Sequence, residues 1–551
     1  MTITNDEITL AEERHVPGTE LLFDTKAHHG EAAGMQFIQR NGVNVFLVPQ
    51  PSLTDINDPL KWSPRKKWGT YLNGVAYAFM GSVTGPIMAA GMNSLAATYG
   101  TTLQRISYCN GATLICQGVG NIFWMPLTLK IGRRPVYLAS NILMCMACVW
   151  LGSASSTSYA SLLAGRAFLG FAEAPIESIV PTTITDIFFL HDRGEKVSLY
   201  GLGVLGGNEL GPLFSALIIQ RYGMGWAFYI VAAFIGLSVV FMFLLMPETK
   251  FSGTRPDPYH HLSVDGDIDF TDRASAQNIE RISGNADADV NDTASTPGGN
   301  AKHSFLRTLK PWSRPDPNIN LLKVFLRPFV LLAYPTVVWA SLVYGCSLAW
   351  NVIMGATVAQ LFTVQYGFDA QAQGLVFLSP FIGSLVGSWL CGSLSDTVAN
   401  YYTRRNEGIR EPEMRLPVCV LATALTFGGA LLAGLSYHFH THYMGPVIGW
   451  GIISAGAQMG VSLSMSYALD CHKELSVELM VTIASLKSAI AWIYTWVIND
   501  WIDASGMLTV FMIVATINVI LHLTTFVFYL KGKSIRIWIT EAQMLARCEL
   551  V

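Results

Sequence analysis

Charge is what this sequence has least of. Asp, Glu, Lys and Arg make up 13% of its 551 residues, about half the share that soluble domains carry. A soluble chain of this length could not keep its surface in water with so few. The formal net charge of −3 is too small to draw in nucleic acid or any strongly charged partner. The phosphate-binding pattern GxxxxGK[ST] is missing, which argues against an ATP-driven pump. No nucleophile motif stands out. His438, His440 and His442 share one short loop and His260 and His261 a long polar stretch, so loop solvation, not metal or acid/base chemistry, is expected of them. An enzyme is therefore not expected, nor a bound metal or organic cofactor. Cys145 and Cys148 form a CxxC in mid-segment without a His or second CxxC nearby, so the nine cysteines support neither a disulfide framework nor a zinc site. No short apolar core follows Met1, and residues 1–67 read as a cytosolic tail.

Apolar residues fill the space that charge leaves. They make up 51% of the chain, with 11% aromatic and a mean hydropathy of +0.38. A bilayer is crossed by about 20 apolar residues in a helix. Twelve such segments lie near 68–90, 107–129, 136–154, 159–183, 196–219, 226–246, 329–350, 373–394, 417–437, 444–468, 479–499 and 507–530. Several contain proline, which membrane helices tolerate because neighbouring helices satisfy the freed carbonyls. The expected fold class is an all-α membrane protein, with twelve transmembrane helices in two six-helix halves, 68–246 and 329–530. Residues 247–328, rich in Asp, Ser, Asn, Gly and Pro, cannot bury a core and read as a disordered cytosolic linker. Residues 531–551 read as a second cytosolic tail. With both termini inside, all but four of the 35 Lys and Arg fall on the cytosolic side; the exceptions are Arg105, Arg221, Arg166 and Lys487. This is the positive-inside pattern. The sequon at Asn291 would then stay unglycosylated. The acidic run Asp265, Asp267, Asp269, Asp272 lacks the spacing of a calcium loop.

Three stretches stand out from this background. LTLKIGRRPVYL (127–138) follows span two: Gly132 permits a tight turn, and Arg133 and Arg134 stand at the cytosolic surface. GSLSDTVANYYTRR (392–405) follows span eight with Gly392, Asp396, Arg404 and Arg405, the same kind of signal at the same place in the second half. GRAFLGFAEAPIES (165–178) puts three ionisable residues inside span four. In span five, GLGVLGGNELGP, the glycines Gly203, Gly207 and Gly211 recur every four residues, so another helix can approach closely. Pro212 follows, and Glu209 lies near mid-membrane.

These motifs resemble the major facilitator superfamily over nearly the whole chain, and more narrowly the fungal twelve-span drug:proton antiporter family. Within it, the chain is similar to the branch holding a yeast polyamine and histidinol transporter and many secondary-metabolite exporters. KIGRRPVYL, Gly392 with Asp396, GRAFLGF and GGNELGP match the family's motifs, and NDPLKW (57–62), NIFWMPL (121–127) and PETK (247–250) add the fungal flavour. Met125 and Leu129 stand where the inner-loop motif usually has Gly and Asp. Ser215 and Ala216 replace further glycines in span five. The resemblance implies a monomeric, proton-driven carrier of a drug, toxin, metabolite or organic cation in the cell membrane or an internal membrane such as the vacuole's. Its partners would be the lipid bilayer, a small organic solute and protons, and it would need no cofactor beyond the proton gradient. Efflux is the leading direction. Import of organic cations and uncoupled facilitation or sensing stay open.

A charged residue in mid-span costs on the order of 3 kcal/mol on insertion scales, so the four in spans four and five are functional suspects. Residues seven apart lie about two turns along a helix, which places Arg166, Glu173 and Glu177 on one stripe. In the family's fold this stripe faces the central cavity. Glu173 is the leading candidate for carrying a proton or holding a cationic solute, with Glu177 and Glu209 next and Arg166 tuning them. A static Arg166–Glu173 or Arg166–Glu209 pair is the competing structural reading. Asp470 is expected in a surface salt bridge, and Lys487 to reach the cytosolic surface with its ammonium. Asn73, Tyr77, Tyr344 and Gln458 are candidates to line the cavity. Trp350 is expected in an interfacial belt.

Overall fold

Prolines and glycines punctuate the helices. The computed structural model describes residues 20–21, 37–40, 43–46, 49–52, 55–251, 253, 309–312, 315–317, 319–406, 409–472, 475–542 and 544–548. The Asn291 sequon, the acidic run from Asp265 and the His260–His261 pair lie outside these residues. The first half contains α1 (Pro64–Thr84), α2 (Met92–Tyr99), α3 (Leu103–Ile131), α4 (Arg133–Ala154), α5 (Tyr159–Glu173), α6 (Ile176–Ile187), α7 (Leu190–Tyr222) and α8 (Met224–Leu245). The second half contains α9 (Leu321–Leu331), α10 (Pro335–Tyr366), α11 (Ala370–Val376), α12 (Leu378–Arg405), α13 (Cys419–His438), α14 (Met444–Cys471), α15 (Ser476–Ser505) and α16 (Met507–Ala542). Among the described residues, strand is confined to short pieces: Glu20–Leu21 pairs with Ile409–Arg410, and Phe37–Arg40 with Val43–Phe46.

Among the described residues, eleven helical stretches are long and apolar enough to cross a membrane. The twelfth, the span expected over 159–183, is present but interrupted between α5 and α6. Pro175 has no N–H to offer the carbonyl of Phe171 four residues earlier. Trp124 of α3 supplies the missing donor, its Nε1 lying 2.9 Å from that oxygen. The first span is interrupted too: α1 stops at Thr84, before Gly85 and Pro86, and a 3-10 turn at Ala89–Gly91 leads into α2.

Three expected boundaries move. Span seven, expected over 329–350, extends further, because α10 runs to Tyr366. Its second half carries Asn351, Gln360 and Gln365, which look like loop residues; Gln360 donates to Asp503 at 2.6 Å and Gln365 to the Tyr437 carbonyl at 3.2 Å. Trp350 is therefore mid-helix, fully buried against Trp450 and Phe511, and not part of an interfacial belt. Gly392 lies inside α12 and makes no turn. The last helix continues past 530 to Ala542, held by a fork of hydrogen bonds from Arg536 Nε and Nη2 to the two Glu413 oxygens, each 2.9 Å.

Each half has its own apolar core. The halves meet where α3 packs on α15, where α7 packs on α11 and α12, and where α10 meets the 3-10 turn. Alternation of the helices gives the bundle two ends. The linker end carries the close of α8 and the start of α9; the hairpin end carries the turns such as Gly223 and Gly506. Polar bridges between the halves gather at the hairpin end. Gln104 donates to the Trp496 carbonyl (2.7 Å) and accepts from the Asn499 amide (3.1 Å), Asn499 Nδ2 reaches Ser107 (2.7 Å), Asn93 reaches Thr363 (3.0 Å) and Gln220 reaches Asp369 (2.9 Å). Tyr108 stacks on Trp496 with centroids 4.3 Å apart.

The glycine stripe of span five packs as its spacing predicts. Gly203, Gly207 and Gly211 lie against Val75, Phe79 and Val83 of α1, and a Cβ on Gly207 would stand 2.5 Å from the Phe79 carbonyl oxygen. That backbone cannot yield as a flexible side chain would. Pro212 continues α7 without ending it.

Candidate functional site

Between the halves lies a cavity of about 180 Å³, lined from α1, α3, α5, α6, α7, α10 and α15. Arg166, Glu173, Glu177 and Glu209 all border it, and so do Tyr344 and Lys487 from the second half. The sequence stripe and span five therefore converge on one space.

Arg166 is 1% exposed, and its guanidinium does not touch Glu173. Nη1 donates to the Thr84 carbonyl and Nη2 to the Gly85 carbonyl, both at 2.7 Å, and Nη2 also reaches Asn110 Oδ1 at 2.9 Å. The last carbonyls of a helix have no partner within it, and they form its negative end. Because α1 stops inside the membrane, water is not there to satisfy them. Arg166 is thus the cap of a broken helix. The competing reading, a static pair of Arg166 with Glu173 or Glu209, is not what the structure shows.

Glu173 is also buried, and its contact is Thr84. Thr84 Oγ1 lies 2.6 Å from Glu173 Oε2 and 2.6 Å from the Gly81 carbonyl oxygen. A hydroxyl has one hydrogen to give. When Glu173 is ionised, Thr84 donates to it. When Glu173 is protonated, the acid donates to Thr84 and Thr84 donates to Gly81. In both states the carboxyl group keeps a hydrogen bond to Thr84; the Thr84–Gly81 contact holds a hydrogen only when Glu173 is protonated.

Glu177 opens the first turn of α6, where a negative charge suits the helix dipole. It forms an ion pair with Lys487 Nζ across the interface between the halves. Lys487 also donates to Tyr344 Oη at 3.2 Å and sits 4.7 Å from the centre of that ring. Its side chain is only 5% exposed, so Lys487 does not run to the surface as expected. A lysine with a carboxylate at hand inside the bundle gains more there than by stretching toward water. Glu209 differs from the other two acids: it is 3% exposed, and no hydrogen bond or ion pair reaches its carboxylate among the described residues.

The linker-end motifs form clamps away from the cavity. Gly132 adopts φ +96°, as its place in a tight turn requires. Glu248 accepts from the backbone amides of Arg133 (2.9 Å) and Arg134 (3.1 Å), a carboxylate on a helix N-terminus. Arg133 pairs with Asp186 at 3.3 Å, and Arg134 caps the end of α8 through the Met246 and Phe243 carbonyls. In the second half Arg415 bridges Asp396 (3.4 Å) and Asp470 (3.3 Å), which gives Asp470 the surface salt bridge expected of it. Arg404 and Arg405 stay at the exposed end of α12, Arg405 over the Tyr401 ring.

Of the four cavity candidates, Tyr344 lines the space. Tyr77 is fully buried in the first core, bonded to Ser140 at 2.6 Å and edge-on to Tyr137. Asn73 bonds the Gly69 carbonyl of its own helix, and Gln458 bonds Ser462; neither borders the cavity. Residues not singled out in the sequence do border it: Asn110, Gln117, Asn208 and Asn351. Their shared signal is an amide inside an apolar span, which each must justify by a partner or a function.

Residues 70–495 match the Major Facilitator Superfamily. An MFS-type transporter of Schizosaccharomyces pombe, C1271.10c, is 25% identical, with 95% of this chain and 93% of that one covered. Protein HOL1 of Saccharomyces cerevisiae is 22% identical, with 95% and 96% covered. The solved structure of the proton:xylose symporter XylE superposes with a TM-score of 0.56 at 13% identity, over 85% of this chain and 97% of that one. At that identity it speaks for the fold.

Proposed function

Because the chain belongs to the major facilitator superfamily, we propose that it is a proton-coupled secondary transporter, monomeric, that exports a small organic solute. It is a multi-pass membrane transporter and not an enzyme. The coupling, the direction and the solute are the proposal. The linker end faces the cytosol, since that end and its flanks carry nearly all the Lys and Arg. Access alternates as the two halves rock about the cavity. The hairpin-end bridges and the Glu177–Lys487 pair are contacts that this rocking makes and breaks.

One observation carries the coupling: the Glu173–Thr84–Gly81 array, which accommodates the carboxyl group with or without its proton. A carboxyl group that bonds the same hydroxyl in both protonation states can load and release a proton without losing its partner. Arg166 keeps the array in place by holding the Thr84 backbone. Export is supported by the resemblance of GGNELGP in span five to the antiporter motif.

The test works with an unidentified solute. Proteoliposomes holding the full chain are loaded with a fungal small-molecule extract, and the solutes that cross are identified by mass spectrometry with and without an imposed pH gradient. A subset crossing only with the gradient, and only with the protein, is the expected result. Crossing that ignores the gradient would make the protein a facilitator and end the coupling claim.

A further inference from the structure

LLKVFLRPFVL, the sequence of α9, has apolar side chains on two opposite edges. Val324, Pro328 and Leu331 share one edge by their spacing of four and three, and Leu322, Phe325, Leu326 and Phe329 share the other. The structure buries the first edge and leaves the second exposed. Phe325 and Phe329 lie along the exposed stripe with ring centres 5.9 Å apart. The buried edge sits across the joint between the halves. Val324 forms an apolar cluster with Met125 of α3 and Val481 of α15, flanked by Ile122 and Leu129 on one side and Val477 on the other. Met125 and Leu129 are the two residues that depart from the inner-loop motif, and here they form the floor on which α9 rests.

Polar contacts fasten the segment at both ends. Before α9, the Asp316 amide donates to the Lys130 carbonyl at 3.0 Å, and the Asp316 carboxylate pairs with Lys250 at 3.4 Å; both partners belong to the first half. Within α9, Arg327 pairs with Glu478 of α15 at 2.9 Å. After it, Leu331 and Tyr334 enter a core of the second half. The depth of α9 follows from its neighbours. Met125 lies six residues before the end of α3, about 9 Å along the axis, and Val481 lies in the second turn of α15. So α9 is level with the ends of the spans and does not hang below them in water. On α3, Val119 and Phe123 are exposed beside the face that holds α9, so the outer stripe continues a lipid-facing surface. A stripe of four large apolar side chains in water would be a liability. Lys323 and Arg327, four apart on the remaining flank, suit a helix lying in the plane of the interface.

We propose that the outer stripe of α9 is a docking surface for phospholipid acyl chains, and that α9 is thereby a strap held by the leaflet at the linker end across the seam between α3 and α15. Only three residues separate α9 from the start of α10, so α9 travels with the second half. When the halves part at the linker end, α9 leaves Met125 and Leu129. The leaflet keeps it at the depth from which it can dock again.

Nitroxide labels at Leu326→Cys and Phe329→Cys, each combined with Cys548→Ser, are placed on the full chain in nanodiscs of phosphatidylcholine and phosphatidylserine. Collisions with oxygen and with a water-soluble nickel chelate are read by electron paramagnetic resonance. Labels at Phe123→Cys and Arg404→Cys give the lipid-side and water-side references. Both labels on α9 should favour oxygen, as Phe123→Cys does. The inference is overturned if they favour nickel, as a stripe in water would, or if neither reagent reaches them, as a covering protein partner would cause. Met125→Asp tests the inner edge by setting a carboxylate under Val324. Amide protection over Leu321–Leu331 should fall about tenfold or more, with protection over Val337–Val343 unchanged and Met125→Leu like the wild type. Protection over α9 that survives Met125→Asp would overturn the strap. Neither readout uses a transported solute. A facilitator in place of a coupled carrier would leave this inference standing, and a water-facing stripe would leave the transport reading standing.

Discussion

The first half brings Arg166, Glu173, Glu177 and Glu209 to the cavity; the second half brings Lys487 and otherwise uncharged side chains. The backbone differs in the same sense. The first span breaks at Gly85–Pro86 and the fourth at Ala174–Pro175, while their counterparts α10 and α14 run unbroken. The unbroken pair is held by aromatic packing, Trp350 edge-on to Trp450 and both against Phe511. Broken helices expose carbonyls inside the membrane, and those carbonyls require donors. The chemistry of the first half is therefore inseparable from its fractures, whereas the second half gives an unbroken wall that meets it at the cavity through the Glu177–Lys487 ion pair.

The largest effect should come from removing the cap. Arg166→Ala leaves two carbonyls and Asn110 without a donor and should cost on the order of 3–5 kcal/mol, read as a lower melting temperature in detergent. Arg166→Lys should recover only part, because one ammonium lacks the fork that reaches both carbonyls. A melting temperature unchanged in Arg166→Ala would mean that the fracture needs no cap.

Next comes the contact that joins the halves. Lys487→Ala strands the Glu177 carboxylate and should cost about 3 kcal/mol. Adding Glu177→Ala should return much of the loss, and the double-mutant cycle measures the coupling. Additive losses would show that the pair is not an interaction between the halves.

Acid should then separate the two halves. His472, just beyond α14, meets Thr336 at 2.7 Å beside Tyr334. Burial, with the Arg536 charge adding to it, pushes its pKa down from 6.5 to about 4. A depressed pKa means that the unfolded chain binds the proton more readily. The stability that the neutral ring contributes is present above pH 6.5 and is lost as pH falls toward 4, on the order of 1–3 kcal/mol. Amide protection factors at the linker end of the second half, referenced to the intrinsic exchange rate at each pH, should fall as pH drops through 5, before the Arg–carboxylate clamps of the first half loosen. His472→Asn should flatten that response.

The smallest effect on stability falls on the proton array. Thr84→Val keeps the shape and removes the hydroxyl, costing about 1 kcal/mol, yet it should slow gradient-driven flux while leaving exchange without a gradient intact. Equal losses in both would point to a packing role.

Much of the fold was legible because a bilayer allows few solutions: the lengths of the apolar runs and the placement of Lys and Arg set the spans and their alternation. The fractures were not. Pro86 and Pro175 were visible, but whether a proline kinks or breaks a helix depends on donors such as Trp124 and Arg166 arriving from other helices. The same limit hid the partner of Lys487, 310 residues away from Glu177, because no local pattern encodes a contact between halves. It also misplaced Tyr77, since a tyrosine facing a cavity and one facing a neighbouring helix have the same spacing in the sequence. Asn351 reads as the start of a loop because polarity inside a span and polarity outside it look alike.

The central claim is that the first half moves the proton at Glu173. Its most direct test is the flux of the gradient-dependent solutes in proteoliposomes made with wild type and with Glu173→Gln, each with and without a pH gradient. The account predicts that Glu173→Gln still exchanges solute but no longer responds to the gradient. A Glu173→Gln transporter that concentrates solute against its gradient as the wild type does would contradict it.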